Sequence, residues 1–85
     1  MKNLTKFVNN RNAISHLWGD PAWDLNNAKD RKAIASRIDC ELSPENLHCD
    51  GEISHVQAMK KFNFLMACAK EMKKLDSTVE FYEVY

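Results

Sequence analysis

A mainly α domain of three helices, closed by a short extended tail or edge strand, is the fold class this sequence predicts. Three observations carry the expectation. Apolar residues recur at helical spacing in three separate stretches. The two glycines and two prolines fall between those stretches, so they punctuate the helices and do not interrupt them. β-Branched and aromatic residues at alternating positions are confined to the end of the chain, residues 78–85. At 85 residues, a single domain over 1–85 is expected, with its tail at 77–85.

In the first stretch Leu4, Phe7, Val8, Ile14 and Trp18 project to one side of a helix, and Lys2, Lys6, Asn9, Asn12, Ala13 and His16 to the other. Its asparagines are poor helix formers, so this helix relies on packing. It should stop at Gly19, with Asp20-Pro21 supplying a cap and a first-turn proline for a new turn. The second helix is expected to be capped by Asn26 or Asn27 and to run to about Leu42. Ala28, Ile34, Ala35, Ile38 and Leu42 form its apolar face, with Arg31 pointing into that face, stem packed and head at the edge.

Ser43-Pro44-Glu45 signals a single turn through Leu47, and Asp50-Gly51 is a turn dipeptide. Ser54 with Gln57 forms a capping box that opens the longest helix, to about Leu75. Ala58, Phe62, Leu65, Met66, Ala69 and Met72 make its buried face, and Lys60, Asn63, Lys70 and Lys74 lie opposite. Asp76-Ser77 ends it. In the tail, Val79, Phe81 and Glu83 alternate with Glu80, Tyr82 and Val84.

Twelve basic residues balance twelve acidic ones, so no global field draws the chain to nucleic acid or membrane. The charges are nonetheless in blocks. Residues 1–18 hold Lys2, Lys6 and Arg11 without an acid; residues 39–52 hold Asp39, Glu41, Glu45, Asp50 and Glu52 without a base; residues 60–74 are basic again. The chain opens without an apolar run and cleavage site, so no secretory leader is expected, and no stretch is apolar enough to span a bilayer. Cys40, Cys49 and Cys68 are odd in number, which argues for reduced thiols and a cytoplasmic location.

Metal binding is not expected. Cys40, His48, Cys49 and His55 are zinc-type ligands, but adjacent His48 and Cys49 rarely converge on one tetrahedral centre. Residues 46–57 resemble a calcium-binding loop in outline, with Gly51 at the sharp turn, Ile53 after it and Gln57 at the closing position. Only Asp50 is a good oxygen ligand there, too few for calcium, and turn chemistry explains the same letters. No Gly-x-Ser-x-Gly elbow or phosphate-cradling glycine loop occurs, and Cys49 beside His48 does not make a catalytic pair, so no enzyme and no cofactor are expected.

Two surfaces remain. Lys60, Lys70, Lys73 and Lys74 could follow phosphates, although a lysine-rich helix face also serves solvation alone. The aromatic residues are the stronger feature. Trp18 and Trp23 bracket Gly19-Asp20-Pro21, Phe64 falls on the polar side of its helix, and Tyr82 and Tyr85 crowd the terminus with Phe81. Either the tail or the tryptophan turn covers Phe64 to complete the core, or these residues form a partner-binding surface or homodimer seam.

The segment from Asp30-Arg31-Lys32-Ala33-Ile34-Ala35 to Leu75-Asp76, centred on Leu42-Ser43-Pro44-Glu45-Asn46-Leu47 and Cys49-Asp50-Gly51-Glu52, resembles short helical accessory proteins of tailed bacteriophages. It spans a little over half the chain, and its shared features are helices and turns without a defined functional site. The resemblance implies a phage protein acting in the cytoplasm of an infected bacterium, where such proteins bind and redirect host machinery or block host defence. The sequence reading is thus a non-enzymatic module that binds and inhibits a host protein complex. The alternatives are a small nucleic-acid-binding or regulatory protein using the lysine face, and a structural subunit that exists as a homo-oligomer.

Overall fold

The computed structural model describes residues 2–47 and 55–83. These residues form a mainly helical structure of α1 (Lys2–Ser15), a 3₁₀ turn (His16–Trp18), α2 (Ala28–Leu42), α3 (Pro44–Leu47) and α4 (His55–Leu75). Four α-helices therefore replace the expected three, the fourth being the turn foreseen after Ser43. No strand occurs among the described residues, so the edge-strand alternative for the tail is corrected. The Asp50-Gly51 turn and the Ser54 half of the capping box lie outside the described residues.

Local chemistry sets the helix ends. The Asn27 carboxamide oxygen accepts from the Lys29 and Asp30 amides at 2.9 and 3.1 Å and so caps α2. Pro44 cannot supply an amide to continue α2, and it starts α3, where the Asn46 and Leu47 amides donate to the Ser43 carbonyl, each at 3.0 Å. The helical run that begins with α1 ends where expected. Gly19 adopts φ 75°, and the Asp20 amide donates to the Ser15 carbonyl at 3.1 Å, the six-to-one closure of a Schellman motif. No helical turn follows Asp20-Pro21, contrary to expectation: residues 20–24 are irregular. The Asn12 side chain holds them instead, its amide donating to the Trp23 carbonyl at 2.9 Å and its oxygen accepting from the Trp23 amide at 2.8 Å.

α4 runs antiparallel to both other long helices: its end meets the starts of α1 and α2, and Phe64 and Lys61, earlier in α4, lie beside later residues of those helices. Glu71 of α4 accepts from the Asn3 and Leu4 amides at 3.0 and 3.1 Å, and Lys6 lies over the Phe64 ring. The first turn of α1 has no acid of its own, so Glu71 supplies the negative charge that its dipole and unpaired amides favour. At the same end of α4, the Arg31 guanidinium near the start of α2 reaches Asp76 at 2.8 Å and the Leu25 carbonyl at 2.9 Å. Arg31 is half-buried, with its head at the edge of the apolar face.

The core joins Leu4 and Val8 of α1, Ile34, Ala35, Ile38 and Leu42 of α2, Leu47 of α3, Leu65, Cys68, Ala69 and Met72 of α4, and Val79 of the tail. Three sequence-based placements change. Ile14 and Trp18 are exposed, because the buried stripe of α1 runs Leu4, Val8, Ser15 and the helix tightens into a 3₁₀ turn before Trp18. Ala28, the first residue of α2, is exposed. On α4, Cys68 is fully buried while Phe62 and Met66 are only half-buried. α1 docks on the side of Phe64 and Glu71, which rotates the buried arc toward Cys68.

The tail packs on its own domain. Val79 is 2% exposed, Phe81 packs beside it, and the Asp39 carboxylate accepts from the Tyr82 and Glu83 amides at 3.0 and 2.7 Å.

Candidate functional site

The aromatic residues singled out in the sequence do not form one patch. Trp23 is half-buried, stacks on Phe7 with ring centroids 6.3 Å apart, and carries the Arg11 guanidinium 4.8 Å from its ring centroid. Phe64 is half-buried against the core, with the Lys6 ammonium 5.8 Å from its centroid. Lys6 of α1 thus covers its ring, where the tail or the tryptophan turn was expected to. Tyr82 is exposed on the tail beside α2, and Tyr85 lies outside the described residues.

Trp18 is different. It is 73% exposed, Leu17 beside it 70%, and Ile14 one turn earlier 50%. Residues at i, i+3 and i+4 are neighbours on a helical surface, so these three side chains make a continuous apolar patch at the end of α1. The local fold holds them outward. The Schellman closure at Gly19 fixes the exit of the 3₁₀ turn, and the Asn12 clamp and Phe7 stacking draw Trp23, not Trp18, back onto α1. A salt bridge of 3.4 Å from Arg11 to Asp20 spans the same loop. Sequence reasoning named Trp18 but missed Leu17 and counted Ile14 as core. The available signal was the adjacent pair Leu17-Trp18, which cannot both face inward on one narrow stripe.

Ile14 also borders a groove of about 270 Å³ between α1 and α2, lined by Phe7, Asn10, Arg11, Ile14, Arg37 and Glu41. Arg37 and Glu41 pair along its α2 wall at 3.3 Å, one turn apart. An apolar patch with a tryptophan, rimmed by arginines and a carboxylate, has the composition of a protein-contact surface: an anchor to desolvate and a polar edge to orient it. A smaller apolar hollow of about 150 Å³ lies among Leu47, His55, Ala58, Met59 and Phe62, next to exposed Val56.

The lysines Lys60, Lys70, Lys73 and Lys74 are all exposed on α4, with the Lys73 ammonium turned to the Ser77 carbonyl at 3.3 Å. Of the possible metal ligands, Cys40 is exposed and touched by the Asn46 side chain, and His55 is exposed at the start of α4. His48, Cys49 and most of the calcium-loop-like stretch lie outside the described residues. Among the described residues, no three His, Cys, Asp or Glu side chains gather as a metal site. Burial, reinforced by the charge of Glu71, pushes the Cys68 thiol up to about 12, so at neutral pH it is an inert core residue and not a nucleophile. No described helix is long and apolar enough to cross a membrane. No family model matches this chain, and no curated protein or solved structure is detectably similar to it.

Proposed function

We propose that this chain is a non-enzymatic protein-binding module that uses the Ile14, Leu17 and Trp18 patch as its anchor. The observation that supports the reading is the exposure of Leu17 and Trp18 at 70% and 73%, on a backbone held by Gly19, Asn12 and Trp23. Leaving a tryptophan in water forgoes the burial free energy that a small domain needs, unless a partner recovers it. Because the backbone beneath Trp18 is already fixed, little ordering would be lost on docking, which favours tight binding.

The resemblance to phage accessory proteins supplies the context: a host protein complex, of the defence machinery for example, bound and inhibited or redirected in the cytoplasm of an infected bacterium. Binding at one surface is stoichiometric and needs no catalytic group. A homodimer through the same patch is the competing occupant.

The test starts with the Trp23→Phe variant, in which Trp18 is the sole tryptophan. A partner captured from bacterial lysate by the parent should shift Trp18 emission to the blue on binding, and capture should fall sharply for Trp18→Ala and Leu17→Ser. Unchanged emission together with equal capture by all variants would overturn the proposal. Sedimentation of the chain alone reads out the dimer.

A further inference from the structure

The lysines of α4 do not stand alone. α1 runs antiparallel to α4, and Lys2 and Lys6, four residues apart on one face of α1, border the same seam, with the Lys6 ammonium over Phe64 of α4. On α4, positions 60, 64, 67, 71 and 74 share one face, so Lys60 and Lys74 flank Phe64 and Glu71 along that seam, with Lys70 beside them. Lys2, Lys6, Lys60, Lys70 and Lys74 are all exposed. The one acid within the cluster, Glu71, is spent on the Asn3 and Leu4 amides.

How the remaining charges are used sharpens the contrast. The arginines Arg11, Arg31 and Arg37 are each paired with a carboxylate of the chain itself, whereas no lysine is ion-paired among the described residues. The carboxylates of Asp39 and Asp76 are likewise engaged, by tail amides and by Arg31 with Thr78. A neutral chain thus carries a row of uncompensated positive charge on two adjacent helices.

We infer that the seam between α1 and α4 is a track for the phosphate backbone of duplex DNA, bound without regard to sequence. Lys60 and Lys74 are separated by about 21 Å at the α-helical rise, a length of duplex axis that carries about twelve phosphate charges over its two strands. No arginine belongs to the lysine row, since Arg11 lies over Trp23 and Arg31 and Arg37 are on α2, so the bidentate guanine contacts that read sequence are lacking there. The single aromatic residue on the seam, Phe64, is half-buried under Lys6, so the stacking platform typical of single-strand binders is also lacking. The track lies toward the start of α1 and the Trp18 patch at its end, so this inference does not rest on the proposed protein contact.

The experiment is fluorescence anisotropy of a labelled mixed-sequence 20-base-pair duplex with the full chain, across a salt series. Five lysine–phosphate contacts predict a log–log salt slope of about −4 to −5. The combined variant Lys2→Gln, Lys6→Gln, Lys60→Gln and Lys74→Gln should lose at least tenfold in affinity at low salt and bring the slope to about −1. The control Lys29→Gln with Lys32→Gln, on α2, should bind as the parent does, and so should Trp18→Ala. Absence of salt-dependent binding by the parent overturns the inference whatever the variants do. Equal loss in the α2 control, or binding to phosphatidylserine vesicles without duplex binding, overturns it as well.

Discussion

The Asp39 carboxylate accepts hydrogen bonds from two successive tail amides, Tyr82 at 3.0 Å and Glu83 at 2.7 Å, and so fixes the end of the described chain to the last turn of α2. With Val79 buried at 2% exposure, this makes the tail a structural strap of the domain. Truncation after Asp76 should therefore lower the melting temperature and expose apolar surface that binds a hydrophobic dye. Asp39→Ala, which only releases the two amides, should have the smaller effect, about 1–3 kcal/mol. A truncated chain that melts like the parent would show that the strap is dispensable.

How far the sequence disclosed this fold depends on how local each determinant is. The Asn27 cap, the Ser43-Pro44 turn, the stop at Gly19 and the span of α2 were legible because each rests on a few neighbouring residues. The tail was legible only as an extended segment, since its partner Asp39 is more than forty residues away. Cys68 and Phe64 were misjudged for the same reason: which side of α4 receives α1 is a tertiary fact, recorded in contacts such as Lys6 with Phe64. At the candidate site, Trp18 was readable as a large residue at a helix stop. The exposure of Ile14 and Leu17 was not, because it follows from the 3₁₀ turn and from Trp23 taking the place against Phe7.

The Arg31–Asp76 pair gives a pH dependence with a definite sign. Hydrogen bonds from Thr78, then the Arg31 guanidinium, hold the Asp76 carboxyl down at about 2. A depressed carboxyl stabilises the fold above its ordinary range near 4 and loses that contribution as pH falls toward 2. Thermal melts between pH 5 and 2 should thus decline in the parent more steeply than in Asp76→Asn, which starts lower. Parallel curves for the two proteins would contradict this role for Asp76.

Core substitutions should follow the observed burial and not the sequence projection. Ile38→Ala and Met72→Ala, at fully buried positions, should each cost about 2–5 kcal/mol by denaturant unfolding. Phe62→Ala, half-buried beside an apolar hollow, should cost less than either, and Lys60→Ala almost nothing. A Phe62→Ala effect exceeding that of Met72→Ala would put the buried arc of α4 back where the sequence placed it.

Thiol chemistry tests the same arc independently. In the variant Cys40→Ser with Cys49→Ser, Cys68 is the only thiol, and it should react with a disulfide reagent only after denaturation. Restoring Cys40, which is exposed, should restore rapid native-state labelling of one thiol. Fast labelling of Cys68 in the folded protein would contradict the placement of α1 over that side of α4.

The central claim is that Trp18 anchors a protein partner, and the affinity of the captured partner for the parent and for Trp18→Ala tests it most directly. Trp18 is 73% exposed and contributes little to the core, so the variant should fold with an unchanged melting temperature. A hot-spot tryptophan is worth about 2 kcal/mol or more, so titration calorimetry should show Kd rising at least roughly thirty-fold. Trp23→Phe, by contrast, should bind within a few-fold of the parent. A folded Trp18→Ala protein that binds with the parent's Kd would contradict the account.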